Sequence, residues 1–102
     1  MNLTYVIPST IAGLIYLYLY LTYERRSKWS NYVLAILGLL VDWYPVFFGG
    51  MLTNLTTLGL VHGLLTILSY LILALWFISY EKPYYNYFLI IWFIAYLFGY
   101  LS

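Results

Sequence analysis

The chain has 102 residues, of which 66% are hydrophobic and 7% charged, with a mean hydropathy of +0.92. A soluble domain carries roughly 25% charged residues, so this chain cannot cover its own surface in water, and lipid is the expected solvent for most of it. A net charge of +1 from four Lys/Arg is too little to neutralise a run of phosphates and argues against nucleic acid; the absence of cysteine excludes disulfides, thiolate catalysis, iron–sulfur clusters and Cys-based zinc sites.

A helix that crosses a bilayer needs about 20 mostly apolar residues, and the charges cut the chain into four such stretches. The first covers about residues 3–23, with Pro8 near its start, where a missing N–H costs little. It ends at Glu24-Arg25-Arg26-Ser27-Lys28. No basic n-region precedes it and no small-residue cleavage site follows, so it reads as a retained helix rather than a signal peptide. The second stretch covers 29–48 and stops at Gly49-Gly50. The third covers 54–80, and Glu81-Lys82-Pro83 then breaks the chain before a fourth over 83–101. Their length and the lack of period-two alternation favour helix over strand, and four strands could not close a barrel in lipid. The expected fold is therefore all-α: an integral membrane four-helix bundle, one domain over residues 1–102.

Three of the four Lys/Arg lie in the first loop and the fourth in the third loop. Both loops fall on one side of a four-span chain. The rule that keeps Lys/Arg cytoplasmic places them inside, with both termini outward and the plasma membrane as the expected site.

Helices associate in lipid through small residues and interhelical hydrogen bonds. On the second helix Asn31, Ala35, Gly38, Asp42, Pro45 and Gly49 recur at steps of three and four, which puts them on one face. Gly59, His62, Gly63, Thr66, Ser69 and Tyr70 form a matching stripe on the third. An antiparallel hairpin of these two helices, turning near Leu52, sets Asp42 opposite His62, Gly38 opposite Thr66, Ala35 opposite Ser69 and Pro45 opposite Gly59. Gly38, Gly59, Gly63 and Thr66 are then the expected helix-packing positions. Asp42 and His62 would lie roughly 15 Å from the turn, at a depth where an unpaired ionisable group costs several kcal/mol.

Asp42 is the one acidic residue inside a span and His62 is the only histidine. Such a pair can simply fasten two helices. It can also relay protons or contact a quinone, because a His coupled to a carboxylate is a natural proton relay. Haem ligation by His62 is a third option, though a second axial ligand would have to come from elsewhere. No cofactor is required by any motif, no metal set is present, and no complete catalytic motif marks an enzyme. Pro45 removes a backbone hydrogen bond to Val41 and is expected to kink the second helix or end it early. The first and fourth helices carry Tyr16, Tyr20 and Tyr23, and Tyr85, Trp92, Tyr96, Gly99 and Tyr100. Those rows are expected to serve packing first, or to form outer aromatic flanks that meet lipid or a partner.

From Lys28-Trp29 onward, a further pattern runs through Leu37-Gly38-Leu39-Leu40-Val41-Asp42, Val61-His62-Gly63-Leu64-Leu65, Ala74-Leu75-Trp76 and a last Trp-bearing helix. Over about residues 28–100 this resembles the small hydrophobic membrane proteins of the cytochrome oxidase assembly (CtaM) and HsmA-like type. The resemblance implies a small accessory or assembly subunit beside larger membrane-protein subunits, such as those of a respiratory oxidase. The alternative reading is a proton-relay, quinone- or haem-contacting protein built on Asp42 and His62.

Overall fold

The structure is a computed structural model and describes residues 3–48 and 57–101. All regular structure among them is helical: α1 (Leu3–Thr22), α2 (Lys28–Phe48), α3 (Thr57–Ser79) and α4 (Lys82–Leu101), with a short 3₁₀ turn, Tyr23–Arg25, after α1. The all-α, four-helix expectation stands. By length and composition, three helical segments are apolar enough to cross a membrane: Val6–Arg25, Thr57–Ser79 and Lys82–Leu101. Helix α2 carries Asn31, Asp42 and Pro45 within its apolar run. Those three side chains are nevertheless buried, and the residues α2 exposes include Val33, Ile36, Leu37 and Leu40. Its polar content is folded inward, and its outer face is as apolar as that of its neighbours.

Element boundaries follow local chemistry. The Ser27 hydroxyl accepts the Ser30 backbone N–H at 3.2 Å and so caps the start of α2. Asn31 Nδ2 reaches back to the Tyr23 carbonyl at 3.2 Å, joining the Arg26 backbone N–H that closes the 3₁₀ turn on the same oxygen. Helix α3 stops where Tyr80 takes a left-handed backbone, φ 55°, a conformation that L-residues other than Gly and Asn adopt at a cost. The Tyr80 ring rests 5.7 Å from that of Trp76, which offsets part of it. Pro45 lies inside α2, which continues to Phe48. The expected early stop at Pro45 is therefore corrected. The chain accommodates a single missing N–H because the ring is fully buried against neighbours.

The helices gather into two compact units, residues 2–54 and 55–102. The first is the antiparallel hairpin of α1 and α2, and the second is that of α3 and α4. In the first hairpin the contacts Ser9–Asp42, Tyr16–Gly38 and Tyr23–Asn31 climb one helix as they descend the other. Its core is Ala12, Tyr16, Leu19 and Tyr23 of α1 and the 3₁₀ turn against Asn31, Tyr32, Ala35, Gly38 and Asp42 of α2. The second hairpin is aromatic. Trp76 and Tyr85 have ring centroids 5.3 Å apart, Tyr85 and Phe88 5.6 Å, and Tyr70 and Phe88 5.7 Å, inside the range in which aromatic pairs attract beyond simple burial. Trp92 Nε1 donates to the Tyr70 hydroxyl at 3.2 Å.

The small-residue face foreseen on α2 is thus the buried one, but a tyrosine of α1 fills it. A Cβ placed on Gly38 would lie 2.5 Å from Cε1 and 2.8 Å from Cζ of the fully buried Tyr16. At Gly63 a Cβ would meet no heavy atom within 4 Å. Of the three expected packing glycines, Gly38 sits at a close helix–helix approach within its own hairpin, whereas Gly63 has open space beside it.

Gly38→Ala should therefore destabilise the protein by about 1–3 kcal/mol through overpacking. Gly63→Ala should be neutral or stabilise by up to about 1 kcal/mol through helix propensity. Reversible unfolding in mixed detergent micelles measures both; equal effects at the two positions would contradict the packing described.

Candidate functional site

The two intramembrane ionisable residues mark the candidate site, and each is held within its own hairpin. Asp42 lies on the face of α2 that contains Asn31, Ala35 and Gly38, so the helical repeat turns it toward α1. On α1, Ser9 occupies the matching buried stripe, one turn before Ala12 and Gly13, whose small size lets the backbones approach. The Ser9 hydroxyl donates to Asp42 Oδ1 at 3.0 Å, with Ser9 8% and Asp42 9% exposed. Six residues separate Asp42 from the last residue of α2, about 9 Å along the axis. A carboxyl group at that distance from the helix end, in a dry setting, requires hydrogen bonds from the protein.

His62 is held by α4. Its Nδ1 lies 2.7 Å from the Ala95 carbonyl oxygen. A carbonyl can only accept, so Nδ1 carries the proton and, in the neutral ring, the lone pair belongs to Nε2. The ring fits because Gly99 lies beneath it: a Cβ there would stand 2.8 Å from Nδ1 and 3.0 Å from Cε1. The rest of the α3 stripe serves its own helix. Thr66 Oγ1 donates to the His62 carbonyl and Ser69 Oγ to the Thr66 carbonyl, both at 2.7 Å. With those hydroxyls satisfied locally, the buried Thr66 and Ser69 pack as small, nearly apolar groups.

Asp42 and His62 belong to different units, and their expected pairing, like that of Gly38 with Thr66, Ala35 with Ser69 and Pro45 with Gly59, joins one unit to the other. The hydrogen bonds described for both residues lie inside the units, to Ser9 and to Ala95. Of the aromatic rows on α1 and α4, Tyr16, Tyr23, Tyr85 and Trp92 are buried core residues, while Tyr20 and Tyr100 face outward. Ser9, Tyr16, Ala95 and Gly99 are the residues that sequence reasoning left out of the site. A signal for them exists. Each short link joins a helix with a bulky ring (Tyr16, His62) to one with a glycine at matching height (Gly38, Gly99), a large-to-small complementarity across the hairpin. Glycine 59 is half-buried on α3.

Removing one partner of a buried hydrogen bond strands the other at about 1–3 kcal/mol. Ser9→Ala should destabilise by that order, and a double-mutant cycle with Asp42→Ala should show a coupling of about 1 kcal/mol. A coupling of Asp42 to His62 larger than its coupling to Ser9 would overturn the assignment of this polar contact to α1. No family, curated protein or solved structure among those compared matches this chain.

Proposed function

We propose that the protein is a small accessory or assembly subunit of a larger membrane complex, held in the cell membrane with its charged links, residues 23–27 and 80–82, on the cytoplasmic side. The resemblance carried by the Lys28-Trp29, Leu37–Asp42 and Val61–Leu65 motifs points to a respiratory oxidase as the complex. One observation supports the reading above others: apolar side chains cover the outside of every helix, as at Leu21 (70% exposed), Leu40 (60%), Leu64 (67%) and Leu97 (59%), while Asp42 and His62 are both tied down within hairpins. A chain with its intramembrane ionisable groups turned inward and long rows of exposed aliphatic side chains on its helices is suited to packing against other membrane helices. Extraction in a mild detergent through an affinity tag should recover it with a larger membrane protein in fixed stoichiometry. Recovery of the chain alone, from membranes in which it is functional, would contradict this.

The second reading has an observation of its own. With Nδ1 donating to a backbone carbonyl, the Nε2 lone pair of His62 is oriented, as second-shell carbonyls orient ligating histidines. Haem, quinone or proton contact would run through that nitrogen. Haem bound there gives the purified protein a visible absorption band that His62→Leu abolishes; a featureless spectrum removes the haem version.

A further inference from the structure

The two links between paired helices differ in charge. The α3–α4 link carries Glu81 and Lys82, which cancel. The α1–α2 link carries Arg25, Arg26 and Lys28 against Glu24 alone. Its geometry is also built. The Arg26 guanidinium donates from Nε to Thr22 Oγ1 at 2.8 Å, from Nη1 to Ser30 Oγ at 3.3 Å and from Nη2 to the Tyr18 hydroxyl, and its Cζ lies 4.5 Å from the Tyr18 ring centroid. This one side chain thus bridges the end of α1 and the start of α2 and fixes a positive charge at the helix ends. Arg25 and Lys28 are exposed beside it, and the Lys28 ammonium stands 5.6 Å from the Tyr32 ring centroid. Trp29, 74% exposed, and Tyr18 and Tyr20, 46% and 40% exposed, flank the link.

Exposed Trp and Tyr at the end of apolar helices are the residues that settle at the headgroup level of a bilayer, and basic side chains at that level attract anionic lipid. We propose that the α1–α2 link is a binding site for the phosphate headgroup of an anionic phospholipid, contacted by Arg25 and Lys28, with Arg26 as the fixed charge that holds the link in shape. The aromatic flank selects a lipid over a free phosphate, because acyl chains can lie along the exposed apolar faces of α1 and α2 while the phosphate meets the cations. The inference rests on the membrane-embedded character of the chain and does not depend on the accessory-subunit reading.

Titration of the full-length protein in an uncharged detergent with phosphatidylglycerol or phosphatidylcholine, read by native mass spectrometry, tests it. Phosphatidylglycerol should be retained preferentially. Arg25→Gln and Lys28→Gln should each weaken that preference roughly fivefold, whereas Lys82→Gln, in the neutral link, should leave it unchanged. Both test positions are exposed, so the fold is expected to survive, and the wild-type comparison of the two lipids stands whether or not it does. Equal retention of the two lipids by the wild type, an undiminished preference in the Arg25→Gln/Lys28→Gln protein, or full displacement of the lipid by inorganic phosphate at equal concentration would each overturn the proposal.

Discussion

Hydrocarbon offers no hydrogen bonds, so every polar group carried into it must find its partner in the protein. That constraint orders the rest of this structure. The chain carries few such groups, and several are met nearby: Ser9 donates to Asp42, Asn31 to the Tyr23 carbonyl and His62 to the Ala95 carbonyl. Each bond links two helices that follow one another in the chain, or a helix to the link beside it. Thr66 and Ser69 solve the same problem within a single helix. Since lipid is as apolar as leucine, aliphatic burial drives helix association only weakly here. Close packing and these bonds give each hairpin its specificity.

Packing follows a second rule, a bulky ring against a glycine. Tyr16 lies on Gly38 in the first hairpin and His62 on Gly99 in the second. In both cases the ring comes from the first helix of the pair and the glycine from the second. The glycine permits a close approach, and the ring uses its area where two aliphatic side chains would hold the helices apart. In the second hairpin, stacked and tilted aromatic rings from Trp76 to Tyr96 continue the contact. The result is a pair of two-helix units whose buried residues include the polar and most of the large aromatic contacts described and whose exposed residues are mostly leucine, isoleucine and tyrosine.

Much of this was legible in the residues. Four apolar stretches separated by charges gave the helices to within a few residues. The face of α2 marked by Asn31, Ala35, Gly38, Asp42 and Pro45 is the buried one. The partner of that face was not legible, because a stripe of small residues states where a helix approaches and not which helix approaches it. The small residues of α3 suggested one partner by likeness of size, and within its own hairpin the ring of Tyr16 fills the space that Gly38 leaves. The left-handed Tyr80 that ends α3 carried no sequence signal, since neither Gly nor Asn marks the position. Pro45 pointed to a kink or an early end of the second helix, and α2 continues through it to Phe48.

The account rests on hairpins formed by consecutive helices, with Ser9 and Asp42 in contact inside the first. The chain has no cysteine, so a pair introduced as Ser9→Cys and Asp42→Cys reports on that contact without background. Oxidation in native membranes with a lipid-soluble copper catalyst should close an intramolecular crosslink, seen as a shift in gel mobility that a reductant reverses. No crosslink, with both thiols still modifiable by maleimide after solubilisation, would contradict the account.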